Sequence, residues 1–226
     1  MRLGRFFFAG AIFLGLAWFA LRSPIPAADP RFIKADVADA GAPAAVAVYL
    51  ETGYPRERAQ AEIAAVAAEL RAVSRGPEPA PATRRAEVLD AAATRLESAG
   101  ITSMMLRFGD NLVVRGRRGN APWRVGLRDP RGQQPDDALA YLLADRDEAV
   151  ASHGSDRVVT VLAPDGVAAT AAAQALHAAG PGWPALARER GLEQVLVVEA
   201  DGAIEATKAL NGRLKFLRGA APRAVH

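Results

Sequence analysis

The chain has 226 residues, half of them hydrophobic and 23% charged, which suits one domain with a real core and excludes a disordered chain. It has no cysteine, which excludes disulfides, thiolate metal sites, cysteine nucleophiles and a lipid-modified cysteine. The formal net charge of +3 comes from Arg2, Arg5 and Arg22; beyond residue 28 the chain carries 25 basic and 25 acidic side chains, so the basic excess that nucleic-acid binding needs is missing.

Arg2 and Arg5 precede an uncharged apolar run from Phe6 to Leu21, closed by Arg22. A positive segment before such a run is the signature of an export signal. The run is slightly short for a membrane span. Ala27 and Ala28 are small enough for cleavage, but Pro24 and Pro26 crowd that site. Residues 1–28 are therefore expected to be a signal peptide or an uncleaved anchor crossing the membrane through residues 6–21. The rest would lie on the periplasmic side, anchored at the inner membrane or soluble after cleavage. Residues 29–43, rich in Pro, Ala and Asp, read as a linker onto one domain, 44–226.

Within that domain Ala44–Leu50 is a short β-type run. Ile63, Val66, Leu70 and Val73 recur at helical spacing, which predicts a helix over 56–74 with Pro55 at its start. After the Gly76–Pro81 interruption, Thr83 is expected to cap a second helix over 84–99, with Val88, Ala92 and Leu96 on one face and Gly100 ending it. Met104–Leu106 and Leu112–Val114 read as strands joined across Gly109-Asp110-Asn111. Trp123, Val125 and Leu127 alternate with Arg124, Gly126 and Arg128, a strand with one buried face. Asp129-Pro130-Arg131-Gly132 has proline and glycine where a type I turn wants them.

Leu139–Leu143, Ala149–Ser152 and Val158–Leu162 are further expected strands. Pro164-Asp165-Gly166 opens an Ala-rich helix that Gly180-Pro181-Gly182 stops, and Trp183–Gly191 is a short helix. Val195–Ala200 and Ala203–Thr207 flank Asp201-Gly202, a two-residue hairpin signal. The pattern implies a layered α/β (α+β) domain, a mostly antiparallel sheet packed with helices.

Residue chemistry alone proposes no active site. His153, His177 and His226 are far apart in sequence and none has a partner at metal-ligand spacing. Ser152 and His153 are adjacent in a strand, so they face opposite sides and do not make a catalytic pair. No G-x-S-x-G, Walker or G-x-G-x-x-G motif occurs. Asp136-Asp137 and Asp145-Arg146-Asp147-Glu148 read as solvated turns, and Arg115-Gly116-Arg117-Arg118 as a charged hairpin tip able to touch anionic lipid headgroups.

From Arg84 onward, however, the chain resembles the C-terminal half of the FAD:protein FMN transferases, the ApbE-like family. The resemblance is carried most tellingly by Gly109–Gly132, which includes GRRGNAPWRVGLRDPRG, then by Glu148–Gly154, by Val158–Leu176 and by Gly191–Thr207, with a weaker likeness over Ala44–Val73. It implies a truncated ApbE-like domain. It also implies an activity that cleaves FAD and attaches FMN to a threonine of an exported flavoprotein, with Mg²⁺ on the pyrophosphate. Gly109, Ser152 and Gly154 would line the flavin pocket.

The resemblance also exposes departures. The family's metal-binding Asp and Thr fall on Thr170 and Gln174, neither of them charged. Its DLGGIAKG segment falls on Pro79–Ala86, with Arg85 at the lysine position. The loop carrying its H-I-I-D-P-x-T-G motif is absent between Gly154 and Val158. The expectation is thus an exported ApbE-like protein, catalytically degenerate and accessory to flavoprotein maturation or electron transfer, with an exported or membrane flavoprotein as partner. Two alternatives stand beside it: an active minimal transferase using Asp156 or Asp165 as Mg²⁺ ligands, and a non-catalytic flavin-binding or protein-interaction module.

Overall fold

In the computed structural model, which describes residues 29–37, 42–75, 79–132, 138–217 and 220–225, the strand-type runs pair into two sheets. The strands are β1 (Phe32–Val37), β2 (Ala44–Tyr49), β3 (Met104–Phe108), β4 (Asn111–Arg115), β5 (Trp123–Arg128) and β6 (Ala138–Ala144). They continue as β7 (Glu148–His153), β8 (Val158–Ala163), β9 (Val195–Val198), β10 (Ile204–Ala206), β11 (Leu214–Phe216) and β12 (Ala224–Val225). The larger sheet has the order β1-β2-β3-β4-β7-β8-β9-β10-β12, and the smaller has β11-β6-β5. Every pair is antiparallel except β10 with β12.

Among the described residues five α-helices accompany them: α1 (Arg56–Ser74), α2 (Ala82–Ser98), α3 (Gly166–Ala178), α4 (Trp183–Glu189) and α5 (Lys208–Asn211). Residues 31–226 form one unit and residues 1–30 another. The apolar run expected as a signal or anchor lies outside the described residues. Among the described residues no helix is long and apolar enough to cross a membrane.

Period-two alternation assigns the two faces of the large sheet. Val46 and Val48, Leu106, Val113, Ala151, Val159 and Val161 pack under α1, α2 and α3 with Ile63, Leu70, Leu89, Leu96 and Leu176. Ala47, Val114, Val150, Leu162 and Leu196 face the other way, onto Trp123, Val125, Leu127 and Leu142 of the small sheet. The central strands are therefore covered on both sides, which is why β9 reads as an unbroken apolar run and β8 as one broken only by Thr160. Truncating a fully buried core side chain such as Leu89 costs about 2–5 kcal/mol in such packing.

The expected antiparallel α/β layering is what forms, with local corrections. Residues 29–43, expected as a linker, carry β1, whose Ile33 and Val37 join the helix-side core. Thr83 does not cap the second helix; α2 starts at Ala82 directly after Pro81, with no side-chain cap bond. The Asp201-Gly202 hairpin is wider than two residues. Val198 pairs with Ile204, and Gly202 N donates to Glu199 O at 2.8 Å, so Asp201 and Gly202 close a turn that begins at Glu199.

Glu148, expected in a solvated turn, is 3% exposed on β7. Its carboxylate accepts from Arg213 Nη1 and Nη2 at 2.8 and 2.5 Å. That pair ties the residues preceding β11 to the large sheet, a long-range closure no local pattern announces.

Candidate functional site

The Ala-rich helix α3 sets the geometry of the site. Asp165 is its N-cap, accepting from Ala168 N at 2.7 Å. Asp90 of α2 reaches across to accept from Gly166 N at 2.9 Å and Val167 N at 3.2 Å. Two carboxylates thus meet the positive end of one helix dipole. Gly166 permits that approach: a Cβ there would meet Asp90 Oδ1 at 3.2 Å and Ala86 Cβ at 3.3 Å. At the other end Arg157 closes the helix. Its guanidinium donates to His177 O at 3.2 Å and Gly180 O at 3.0 Å, and pairs with Glu199 at 3.0 Å.

The three residues expected to line a pocket come to the same end of the large sheet. Gly109 lies in the β3–β4 turn, next to Asp110, whose carbonyl accepts from Ser152 N at 3.1 Å. Gly154 follows β7. The expected division of Ser152 and His153 to opposite faces holds: Ser152 Oγ bonds Thr160 Oγ1 at 2.8 Å, whereas the His153 ring meets His177 on α3.

Both glycines, however, serve close approaches of the chain to itself. Gly109 (φ +64°) is covered by Arg85, whose Nε would stand 3.1 Å from a Cβ there. Gly154 (φ +104°) lies against His177, whose Cε1 would stand 2.7 Å from a Cβ that would also collide with the Arg157 carbonyl. Gly154 and Arg157 bound the tight turn that joins β7 to β8. Arg128 Nη2 donates to Gly154 O at 2.9 Å from the small sheet, fixing that turn further.

Thr170 and Gln174, on which the resemblance places the family's metal ligands, lie in α3. Thr170 is 3% exposed; its hydroxyl donates to Gly166 O at 2.7 Å, with Asn111 Oδ1 a longer partner at 3.4 Å. Asn111, itself 2% exposed, donates through Nδ2 to Ala82 O at 2.7 Å at the start of α2. Gln174 is half-buried one turn further along. A magnesium ion wants carboxylate oxygens and near-octahedral geometry. Here the donor set is a neutral hydroxyl already bonded to its own helix and an amide bonded to α2, so the residues present do not fit the ion. Among the described residues no three His, Cys, Asp or Glu side chains converge in a way that could hold a metal.

Arg85 takes the family's lysine position and donates through Nη1 to Ala80 O at 2.6 Å, while its buried Nε finds no hydrogen-bond partner among the described residues. A groove of about 340 Å³ lies elsewhere, between α1 and α2, lined by Glu69, Val73, Arg84, Glu87 and Val88.

His153 and His177, which sequence separation keeps apart, have ring centroids 5.0 Å apart at an interplanar angle of 90°. Partial burial holds the His153 imidazole below its ordinary pKa, and the neighbouring His177 pushes the same way; Asp110 opposes both. Nδ1 of His177 is buried without a partner among the described residues. Sequence reasoning missed this pair, and it missed Asn111, Asp90 and Arg157 as organisers of α3. Only Asn111 had a local signal, as the polar residue opening an otherwise apolar strand.

A helix-covered antiparallel sheet backed by a second small sheet, with its loops gathered at the Gly109 and Gly154 end, is the mixed α/β fold of the ApbE flavin transferases. Residues 84–158 match the model of the ApbE family. The chain is 33% identical over 163 residues to the FAD:protein FMN transferase of Rhodobacter capsulatus, a match covering 61% of this chain. It covers 31% of that protein, so the chain spans about a third of the length of this curated relative.

Among solved structures, the ApbE protein of Thermotoga maritima superposes with a TM-score of 0.62 at 15% identity, over 80% of this chain and 99% of that one. The flavin transferase ApbE of Vibrio cholerae gives 0.61 at 15% identity, over 82% and 100%. The apo flavinyl transferase ApbE of Pseudomonas stutzeri gives 0.63 at 13% identity, over 81% and 98%. These structures show the fold, and the sequence matches show that the chain is similar to the ApbE family, over residues 84–158 in the family model.

Proposed function

We propose that this protein is an exported ApbE-like protein that does not itself transfer FMN and that acts as an accessory to an exported or membrane flavoprotein. The observation that carries the loss of catalysis is Thr170. At the position where the resemblance calls for a metal-binding carboxylate stands a buried hydroxyl that donates to Gly166 O and neighbours Asn111. An Mg²⁺ ion there would have to be held without charge compensation and in competition with the helix's own hydrogen bond.

The pocket positions support the same reading. Arg85 lies against Gly109, and His177 and the Arg157 carbonyl lie against Gly154, which supports a reading in which these glycines serve the chain's own packing rather than a flavin. The carboxylates nearest α3 are also committed, Asp165 to its cap and Asp90 to the first two amides of the helix. Asp156, the other candidate ligand, is exposed in the β7–β8 turn. The accessory role and the export are supported by family resemblance and by the charge pattern of residues 1–28.

The transfer assay tests the catalytic half directly. Purified protein, FAD, Mg²⁺ and a threonine-containing acceptor should yield no covalently flavinylated acceptor by in-gel flavin fluorescence. Mg²⁺-dependent labelling of the acceptor would contradict the proposal.

A further inference from the structure

Strand β1 stands at an edge of the large sheet and, among the described residues, has β2 as its one neighbour. Its ladder with β2 runs unbroken from Phe32↔Tyr49 to Val37↔Ala44, with no bulge. Leu50 N donates to Arg31 O at 2.8 Å in the same register. Ladder bonds alternate along an antiparallel pair, so Ile33, Ala35 and Val37 turn their backbone groups toward β2. Phe32, Lys34 and Asp36 therefore turn theirs away from the sheet.

An open edge is a template for one more strand, and natural sheets commonly blunt it with proline, a bulge or charge. β1 has neither proline nor bulge, and its charges are of opposite sign two residues apart. Lys34 and Asp36 are both exposed on one face, with Nζ and Oδ1 2.8 Å apart. That spacing selects one register instead of forbidding all of them. A second β1 running antiparallel must bring its own outward-facing backbone groups, those of Phe32, Lys34 and Asp36, against these. Setting Lys34 opposite Lys34, or Asp36 opposite Asp36, makes like charges face each other, which destabilises a ladder. Setting Lys34 opposite Asp36 makes both cross-strand pairs attractive, and the charges then alternate in sign along and across the strands. The same register centres on Ala35, a small residue, and sets Ile33 opposite Val37 on the helix side.

We propose that β1 pairs with β1 of a second copy about a two-fold axis at Ala35, joining the two large sheets into one. Charge complementarity identifies the occupant, because the edge matches its own copy in this register. The contact is isologous, so each chain contributes the same Lys34 and Asp36 to it. A six-residue edge buries less than a standard interface, so the dimer forms in a concentration-dependent way.

The chain has no cysteine, so an introduced thiol has no competitor. On the axis, Ala35 falls at a non-hydrogen-bonded pair, whose Cα atoms stand about 4.5 Å apart, within disulfide reach. Lys34 and its copy lie on a diagonal of about 7–8 Å, beyond that reach. The full-length chain carrying Ala35→Cys or Lys34→Cys is oxidised with copper phenanthroline in mild detergent and run on non-reducing gels. Covalent dimer should form from Ala35→Cys about tenfold faster than from Lys34→Cys, and faster at higher protein concentration. In the Ala35→Cys background, Lys34→Glu and Asp36→Lys should each slow the reaction about tenfold, because both cross-strand pairs turn repulsive. An equal mixture of those two variants should crosslink to each other at the parent rate, although neither keeps the ion pair within its own strand. No covalent dimer from Ala35→Cys, equal rates at positions 34 and 35, or a mixture as slow as its components would each overturn the proposal.

Discussion

The imidazoles of His153 and His177 meet edge to face with centroids 5.0 Å apart, one at the end of β7 and the other in the last turn of α3. The contact fastens the helix to the strand just where Gly154 turns the chain, and it places two titratable rings in a partly buried setting. Because burial and His177 hold the His153 pKa below 6.5, the unfolded chain takes up its proton first as pH falls. The stabilisation is present above about pH 6.5 and is lost as pH falls through the lower folded value. Thermal melting between pH 8 and pH 5 should show a falling Tm on the acid side, with a smaller fall in His153→Gln. An unchanged slope in that variant would remove His153 from the account.

The tight β7–β8 turn depends on its glycine. Gly154→Ala adds a methyl at φ +104° that collides with the Arg157 carbonyl and His177, and should cost about 3 kcal/mol in urea unfolding. Gly53→Ala, at φ +89° with nothing within 4 Å, should cost only about 1–2 kcal/mol. Equal losses would mean that backbone conformation alone, and not the packing of His177 and Arg157, sets the requirement.

Glu148 and Arg213 form a pair with side chains 4% and 12% exposed. Glu148→Ala leaves a buried guanidinium without its carboxylate and should destabilise by about 3–5 kcal/mol. Glu148→Gln with Arg213→Met should recover most of that loss, because the cost lies in the orphaned charge. A double variant as unstable as the single one would show instead that the pair itself is the main tie between β7 and the residues before β11.

Helices and central strands were legible because their periodicity is long and their faces are set by burial, as for Ile63, Val66 and Leu70 on α1 and Val125 and Leu127 on β5. β1 was hidden because its buried positions, Ile33 and Val37, sit four apart among Ala, Asp and Lys. β11 and β12 are three and two residues long and carry no pattern of their own. The resemblance named Gly109, Ser152 and Gly154, and these three share one end of the sheet. What surrounds them was not legible. The packing of Arg85 over Gly109 and of His177 against His153 arises from helices that reach the strand ends only in the folded chain.

Thr170 offers a way to build in the carboxylate that the resemblance calls for. Thr170→Asp places a carboxylate at a site that is 3% exposed, beside Gly166 O and Asn111, and should lower stability by several kcal/mol in the absence of metal, about the penalty for a buried uncompensated charge. Combined with Gln174→Thr, it should acquire a Tm that rises with added Mg²⁺, whereas the parent chain's Tm should not respond. An Mg²⁺-dependent rise in the parent would show that it already holds the ion.

The central claim is that this ApbE-like domain has lost the Mg²⁺-dependent flavin site, and FAD titration tests it most directly. The full-length protein is titrated with FAD, with and without Mg²⁺, and binding is followed by quenching of flavin fluorescence. The account predicts no saturable quenching at high micromolar FAD and no difference on adding Mg²⁺. Tight binding that requires Mg²⁺ would contradict it.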